Sequence, residues 1–269
     1  MVSTINYEEG IDGVRKLLLC DAAYGFDKVY YSSNEDLGAL FSSVDMKDKD
    51  VLTVQASSDQ LFYISGKEPA SIETFDINRL TKYYYYLRKW YILYKDKYYF
   101  DIYDTLDIHN LLEEVIPVDE EEYDAYKYWD TFVRTIPRFF IKDLFFVSVN
   151  PHKNKISDLE KLKDFLVDYK LRFTGMDISR EKINKKYDTI VISNILEYYD
   201  ENRDRIDNIR DNLYGMLNDG GEVIATNFMN DFISFTIFNS FHELFSIREI
   251  FNNRDGIGCV YKKVLTKNS

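Results

Sequence analysis

The chain has 269 residues, of which 45% are hydrophobic and 30% charged, which excludes a disordered protein and allows one large or two small globular domains. Its formal net charge of -12 and its pI near 4.8 argue against a protein that grips nucleic-acid phosphates, so no nucleic-acid partner is expected. The densest group of basic residues, 79–97, is interleaved with tyrosines and is interpreted as a solvated helix face.

The two cysteines, Cys20 and Cys259, are far apart and have no histidine nearby, which indicates neither a zinc site nor a disulfide. No metal is expected, and a reducing, cytoplasmic location is predicted. The first ten residues lack the basic and apolar regions of an export signal, and no apolar run reaches about 18 residues. We therefore expect no integral membrane segment.

The first 45 residues are predicted to form an N-terminal helical cap. Apolar residues in 7–24 recur at helical spacing, and a second helix is predicted from Leu37. The α/β domain is then expected to run over 46–269. It begins with residues 50–54, a short aliphatic run between polar clusters that predicts a buried parallel strand.

A helix is predicted after this strand. The segment 71–78 is then predicted to contain a second strand, which ends at Asp76. The next helix, within 79–94, is expected to bury one broad face. That face comprises Leu80, Tyr83, Tyr84, Leu87, Trp90, Tyr91 and Tyr94. Residues 95–148 break the alternation of strand and helix, and we predict an inserted helical segment that covers a substrate pocket.

The alternation resumes in the second half of the chain. Glycines in the turn 218–221 are expected to end a helix through the left-handed conformation. The last two strands flank a turn at 252–256, so an antiparallel pair should end the sheet. The other predicted elements are a helix at 157–169, strands at 171–178, 187–195 and 222–228, a helix near 206–217 and a helix at 231–241. The predicted fold is α/β and Rossmann-like, with a mostly parallel sheet.

In such a sheet the ligand lies outside the carboxyl ends of the strands, where the strand order reverses. Gln55 follows the first predicted strand, and the small residues Ala56, Ser57 and Ser58 then lead to Asp59. Small residues there allow the backbone to approach a nucleoside cofactor closely. An ordinary strand-to-helix turn with a Ser or Asp cap explains the same residues.

Two aspartates end the next two predicted strands. Asp76, flanked by Ile77 and Asn78, is placed to accept hydrogen bonds from both hydroxyls of a ribose. Asp177, followed by Ile178, is placed to accept from the exocyclic amine of an adenine. Each aspartate could instead cap the helix or turn that follows it.

The fourth predicted strand ends at Asn194 and Ile195, which are candidates to orient cofactor or substrate. Glu197 and Tyr199 are candidates for the acceptor site, and both are also possible general bases, as is His152. The sequence identifies no catalytic residue beyond these candidates.

These motifs resemble the class I S-adenosylmethionine-dependent methyltransferases, and more narrowly the bacterial relatives of the diacylglycerol 3-amino-3-carboxypropyl transferase of betaine-lipid synthesis. The resemblance covers about residues 25 to 230, and it rests on four segments. They are DVLTVQASSDQ, TFDINRLTKYYYYLRKW, Asn150-Pro151 and YDTIVISNILEYY.

The resemblance implies S-adenosyl-L-methionine as the cofactor. Its amino-acid end would meet loop 55–59, its ribose Asp76, and its adenine Asp177 with Ile178. The stretch that contains Tyr31, Ser32 and Asn34 resembles a segment that closes over the cofactor. The first loop departs from the family pattern, because relatives have more glycine there.

Three functions stay open on these observations. The first is a transferase, a methyltransferase by preference, that acts on a small or amphiphilic, lipid-like acceptor. The second is a 3-amino-3-carboxypropyl transferase that uses the same cofactor, and the third is a non-catalytic binding or regulatory protein, which the glycine-poor loop motivates. A nicotinamide-dependent enzyme is disfavoured because G-x-G-x-x-G is absent. The oligomeric state is not predicted.

Overall fold

A computed structural model describes residues 29–33, 35–41, 44–99, 105–135, 145–146, 158–199, 202–227, 240–253 and 260–268. Several predictions fall outside these ranges. They concern the helix within 7–24, both cysteines, Asn34, Asn150-Pro151, His152 and most of the helix at 231–241.

The elements follow one another along the chain as helices α1 to α7 and strands β1 to β9. In order they are β1 (Val29–Tyr30), α1 (Leu37–Phe41), β2 (Asp50–Val54), α2 (Asp59–Ser65), β3 (Ser71–Asp76), α3 (Leu80–Lys95), α4 (Thr105–Leu112), α5 (Glu120–Thr135), β4 (Phe145–Phe146), α6 (Leu159–Asp168), β5 (Phe173–Gly175), β6 (Tyr187–Ser193), α7 (Arg203–Met216), β7 (Leu217–Asn227), β8 (Phe245–Asn253) and β9 (Val260–Lys267). Two 3-10 turns, Ile195–Tyr199 and Ser240–Glu243, precede α7 and β8.

The chain divides into two compact units. One comprises the described parts of Met1–Ser33, Ala56–Asp59 and Asn78–Lys170, and it is called the helical unit. The other comprises the described parts of Asn34–Gln55, Gln60–Ile77 and Leu171–Ser269, and it is called the sheet unit.

The sheet unit contains seven strands in the order β5-β3-β2-β6-β7-β9-β8. Counted along the chain within this sheet, that order is third, second, first, fourth, fifth, seventh, sixth. The first five strands are parallel, and β9 runs antiparallel between β7 and β8. This is the Rossmann-like class I methyltransferase fold, as the sequence predicted, including the antiparallel last strand.

The central strands contain runs of apolar residues, because a parallel sheet is buried on both faces. Leu52 of β2, Ile190 of β6 and Val223 of β7 are all fully buried. Strand β3 ends at Asp76, as predicted, and β2 has the predicted bounds.

The predicted role of the turn 218–221 is wrong. Helix α7 ends at Met216, and its C-terminal cap is Leu217, which is extended and not left-handed. Strand β7 already begins at Leu217, and its pairing with β6 jumps from Leu217 to Glu222. The glycines therefore lie in an irregularity within a strand, where Gly220 has a φ of 73°.

The helical unit packs α3 against α5. The ring of Tyr83 stacks on that of Tyr128 with centroids 5.0 Å apart, and the indole N–H of Trp129 donates to the carbonyl of Tyr83 at 2.8 Å. Helices α4 and α5 lie within residues 95–148, the range in which the sequence predicts an inserted helical segment. A membrane crossing needs a longer and more apolar helix than any in the described part of the chain.

Two expectations about α3 are wrong. Tyr94 was expected on the buried face, but it is 41% exposed. The basic residues of this helix were interpreted as solvated, but Arg88 is completely buried and Lys89 nearly so. Each has an acidic partner, Arg88 with Asp59 and Lys89 with Glu122, both at 2.7 Å. Pairing makes the burial of a cation tolerable, which hydrophobic periodicity cannot reveal.

Candidate functional site

In the sheet unit, the polar residues that follow neighbouring parallel strands lie at one edge. Strands β2 and β6 are adjacent, and the strand order reverses between them, so Gln55 and Asn194 flank the switch point. The amide of Gln55 donates to the carbonyl of Phe75 at 2.8 Å, and that of Met176 donates to the carbonyl of Asp76 at 3.0 Å. The predicted residues Gln55, Asp76 and Asp177 therefore follow one another along this edge.

The two carboxylate oxygens of Asp177 differ in their hydrogen bonds. Oδ1 accepts from the amide and hydroxyl of Ser179, at 2.9 and 2.6 Å, and from the hydroxyl of Tyr199 at 2.9 Å. Oδ2 is buried and has no hydrogen-bond partner in the described part of the chain. Arg180 and Arg205 lie 3.4 and 3.8 Å from it, as ion pairs.

These surroundings fix the charge of Asp177. Burial by itself raises the pKa of a carboxyl group, but the hydrogen bonds from Ser179 and Tyr199 and the charge of Arg205 outweigh it, so the pKa of Asp177 is lowered. Burial and the bond to Asp177 raise the pKa of Tyr199. Asp177 is thus an ionised acceptor at neutral pH, while the Tyr199 hydroxyl stays protonated and donates.

The structure shows the turn cap that was one of the two predicted roles of Asp177, because Oδ1 accepts from Ser179. Oδ2 is buried and makes no hydrogen bond in the described part of the chain. Ile178 is buried beside it, and the carbonyl of Ile178 accepts from Asn212 at 2.8 Å.

Asp76 is half-buried at the end of β3, as is Ile77 after it. The sequence left open whether Asp76 or a neighbour caps the following helix. The N-cap position of α3 is Arg79, which makes no side-chain cap bond. In the helical unit, Asn78, the residue before it, binds the start of the helix, because its Oδ1 accepts from the amide of Leu80 at 3.0 Å. Asn78 is 9% exposed.

Glu35 is a buried carboxylate of the sheet unit that the sequence did not predict. Its Oε1 accepts from the hydroxyls of Ser193 and Thr226, which belong to β6 and β7, and its Oε2 accepts from the Gln60 side chain at 2.9 Å. Ser193 itself has a φ of 51°. The partners of Glu35 are 25, 158 and 191 residues away in sequence, so no local signal could have found it.

The remaining members of the first loop, residues 56–59, belong to the helical unit. Ala56 and Ser58 have φ values of 40° and 70°, which glycine adopts far more easily. Ser57, Ser58 and Asp59 are completely buried.

Asp59 accepts from five donors of the helical unit. Its Oδ1 accepts from Arg88 at 2.7 Å, Tyr98 at 2.8 Å and Tyr99 at 3.3 Å. Its Oδ2 accepts from the amide of Ser33 at 2.5 Å and the hydroxyl of Ser57 at 2.8 Å. A carboxylate has about four lone-pair sites, so Asp59 is saturated.

Arg88 carries the charge that balances Asp59. Burial would lower the pKa of Arg88, but the carboxylate of Asp59 and the nearby tyrosines outweigh it and raise that pKa. The sequence missed this residue, although a signal existed. Tyr84, Arg88 and Tyr91 share one helix face and are all completely buried, so the arginine stands at a core position of the pattern.

The other predicted residues are distributed as follows. Tyr31 and Ser32 are buried in the helical unit, and the carbonyl of Tyr31 accepts from the Tyr84 hydroxyl at 2.6 Å. Asn194 and Ile195 are half-buried in the sheet unit. Glu197 lies in the 3-10 turn that includes Tyr199. Over the described ranges, no cluster of histidine, cysteine or acidic side chains could hold a metal ion.

The sequence matches no protein-family model and no curated protein. The structure is similar to that of the N-methyltransferase NodS from Bradyrhizobium japonicum WM9 in complex with S-adenosyl-L-homocysteine, with 11% identity and a TM-score of 0.44 over 96% of this chain and 98% of that chain. It is also similar to a methyltransferase from Pyrococcus furiosus, with 10% identity and a TM-score of 0.45 over 97% and 98% of the two chains. For a TehB-like SAM-dependent methyltransferase from Corynebacterium glutamicum, the identity is 9% and the TM-score 0.46 over 98% and 100%.

Proposed function

We propose that the protein is an S-adenosylmethionine-dependent transferase, and specifically a methyltransferase that acts on a small or amphiphilic acceptor. One observation carries this proposal. At the carboxyl edge of a sheet with the class I methyltransferase strand order, β5 is followed by an ionised aspartate, Asp177. Among the residues that the structure describes, its buried Oδ2 has two ion pairs but no hydrogen-bond donor. An adenine amine is a donor of the required kind.

The proposed cofactor site assigns one task to each edge residue. Asp177 accepts from the adenine amine with Ile178 beside the ring, and Asp76 accepts from the ribose hydroxyls with Ile77 next to it. Gln55 contacts the amino-acid end. Asn194 and Ile195 orient cofactor or acceptor on the other side of the switch point. When bound, S-adenosylmethionine supplies an electrophilic carbon bonded to its sulfonium.

Because the carboxylate of Asp59 already accepts from five donors, we do not propose that Asp59 contacts the cofactor. We assign contact with the cofactor to Ala56, Ser57 and Ser58, and we assign Asp59 the task of holding them in place. Asn78, two residues after Asp76, keeps the task of binding the start of α3. Tyr31 and Ser32 stay proposed as contacts from the segment before the first sheet strand, and Asn34 rests on the sequence alone.

The residues that we propose as candidates for the general base differ from those that the sequence suggested, because Tyr199 is removed and Glu35 is added. Tyr199 has a raised pKa and donates to Asp177, so we propose that it supports the adenine site and is not the base. Glu197 stays a candidate, and His152 rests on sequence alone. Glu35 joins them on the acceptor side, since its carboxylate contacts the ends of β6 and β7.

Calorimetry with S-adenosylmethionine and S-adenosylhomocysteine tests the proposed cofactor pose. Asp76→Ala removes a charged hydrogen-bond acceptor, worth about 1.5–3 kcal/mol, so we expect cofactor affinity to fall about 10- to 100-fold. Asp219→Ala, at an aspartate whose side chain is 89% exposed, is the matched control and should bind like the wild type. Unchanged affinity in Asp76→Ala would reject the pose, and no heat from the wild type with either ligand would reject the function.

A 3-amino-3-carboxypropyl transferase is the alternative that the narrower sequence resemblance favours. Both reactions attack a carbon bonded to the same sulfonium, and the cofactor pose selects which carbon faces the acceptor. Mass analysis of products formed from a cell extract separates them, because a gained methyl group and a gained aminocarboxypropyl group differ in mass. Binding without any product would favour the non-catalytic regulatory protein.

The proposed acceptor is a small molecule or a lipid-like amphiphile, and nucleic acid is not proposed. The negative charge of the chain, -12 in all, supports this choice against a polyanionic acceptor. A cytoplasmic location stays a proposal that rests on the spacing of the cysteines in the sequence.

A further inference from the structure

The loop 56–59 has a backbone that its residues do not favour. Ala56 and Ser58 both have positive φ, 40° and 70°, and neither is glycine. In such conformations the Cβ atom comes close to the neighbouring backbone, so a residue with a side chain stays there only when its surroundings hold it.

The strongest contacts come from one arginine. Arg88 Nη1 donates to the carbonyl of Ser57 and to Asp59 Oδ1, both at 2.7 Å. Its Nη2 donates to the carbonyl of Tyr98 at 3.2 Å, and its guanidinium lies 4.5 Å from the ring centroid of Tyr98 and 4.6 Å from that of Tyr99. Arg88 therefore binds the loop through a backbone oxygen as well as through Asp59.

Asp59 extends the same network to the segment before the sheet. Its Oδ2 accepts from the amide of Ser33, and the adjoining Tyr31 carbonyl accepts from Tyr84, one helical turn before Arg88. The buried pair thus connects α3 to both segments that the sequence assigns to the cofactor, loop 56–59 and residues 31–33. All of these groups belong to the helical unit.

We propose that the buried Arg88–Asp59 pair is a positioning device that holds Ala56 and Ser58 in the left-handed backbone that glycines would adopt, and so keeps the loop fit to bind a cofactor. This inference rests on the proposed cofactor function. It explains why a glycine-poor loop is compatible with binding: the constraint comes from the side-chain pair and not from backbone freedom. Arg88 touches no cofactor in this account and acts through the loop.

A purely stabilising role is the competing explanation. A buried ion pair gains little stability over apolar side chains because both charges lose their hydration, whereas its directional bonds fix geometry. The neighbouring pair Lys89–Glu122 provides a matched control. It is also buried, has the same 2.7 Å separation and starts from the same helix, but its acidic partner lies on α5 and not on the loop.

The experiment measures S-adenosylmethionine affinity and Tm in Arg88→Met, in Lys89→Met, and in both with Ala56→Gly and Ser58→Gly added. We expect both methionine variants to lose thermal stability. Only Arg88→Met should weaken binding at least tenfold, and the two glycines should recover at least threefold of that loss, because glycine adopts positive φ without strain. Equal binding losses in the two methionine variants, or no recovery by the glycines, would overturn the proposal.

The ligand-free protein provides an independent readout if the cofactor proposal itself fails. In the wild type the two glycines relieve strain, and we expect Tm to rise by about 2–4 °C. In Arg88→Met the loop has already relaxed, so the same glycines should raise Tm by less than half as much. An equal rise in both backgrounds would show that Arg88 does not hold the strain. Arg88→Lys, which keeps the charge but loses the fork, replaces the methionine variant should that one not fold.

Discussion

Two buried aspartates of this protein, Asp59 and Asp177, differ in the donors that surround them. Asp59 receives five donors, which leaves it no capacity for a ligand. Asp177 receives all of its hydrogen bonds on Oδ1, while the buried Oδ2 has ion pairs but no hydrogen bond in the described part of the chain. At the residue scale, this difference distinguishes the carboxylate that we propose holds a loop from the one that we propose binds a ligand.

The lowered pKa of Asp177 makes a prediction about stability and pH. A carboxyl group with a pKa lower in the folded than in the unfolded protein stabilises the fold above the unfolded value, and that contribution is lost as the pH falls through the folded value. We therefore expect wild type and Asp177→Asn to differ by a constant free energy of unfolding above about pH 5, and the difference to shrink below about pH 4. Urea denaturation at several pH values measures it.

Asp188→Asn is the control for this series, because its carboxylate contacts the amide of Asp50 and the side chain of Asn218. It tests whether the loss of another half-buried, hydrogen-bonded carboxylate of the sheet unit changes the free energy of unfolding in the same way. A difference between wild type and Asp177→Asn that stays constant down to pH 3 would contradict the account of Asp177.

At the scale of single elements, sequence patterns predicted the strands better than the connections. The run Asp50–Val54 and the strand that ends at Asp76 agree with the structure because buried parallel strands are short, aliphatic and bounded by polar residues. The turn 218–221 was misread, since glycines after an amphipathic helix are typical of a C-terminal cap and also of a strand irregularity. Local sequence does not distinguish the two.

The glycines of β7 yield a prediction for that element. A Cβ added to Gly221 would lie 2.9 Å from the carbonyl oxygen of Asn218 and 3.2 Å from that of Asp188, both backbone atoms that cannot move freely. Gly221→Ala should therefore lower the free energy of unfolding by about 1–3 kcal/mol. At Gly220 the space is open and only the positive φ opposes a side chain, so Gly220→Ala should cost about 1 kcal/mol.

Chemical denaturation of both glycine variants measures these costs. A smaller loss for Gly221→Ala than for Gly220→Ala would contradict the steric explanation. The two variants also test the irregular pairing, because it is this pairing that brings Gly221 against the backbone of β6.

The buried charges of α3 show why part of the site could not be predicted. Arg88 occupies a core position of the helical pattern, but its partner Asp59 lies 29 residues earlier, and the pair is defined only by the folded chain. Glu35 is harder still, because its partners come from β6, β7 and the start of α2. Periodicity in the sequence predicts which residues end strands. It does not predict which residues complete buried hydrogen-bond networks, because their partners are brought together only by the topology of the folded chain.

At the scale of the whole molecule, the strand order explains why the positions of several candidate site residues could be predicted from the sequence. Once the order is that of the class I methyltransferase fold, the ends of β2, β3, β5 and β6 must lie at a single edge, and their polar residues are brought together by topology. The sequence could therefore assign Gln55, Asp76 and Asp177 to one edge without knowing a single distance.

A structure of the protein with S-adenosylhomocysteine bound would test the proposed cofactor site. We expect the adenine amine within hydrogen-bond distance of Asp177 Oδ2 and both ribose hydroxyls within that distance of the Asp76 carboxylate. An adenosine bound elsewhere, or an Asp177 Oδ2 that still lacks a donor in the complex, would contradict it.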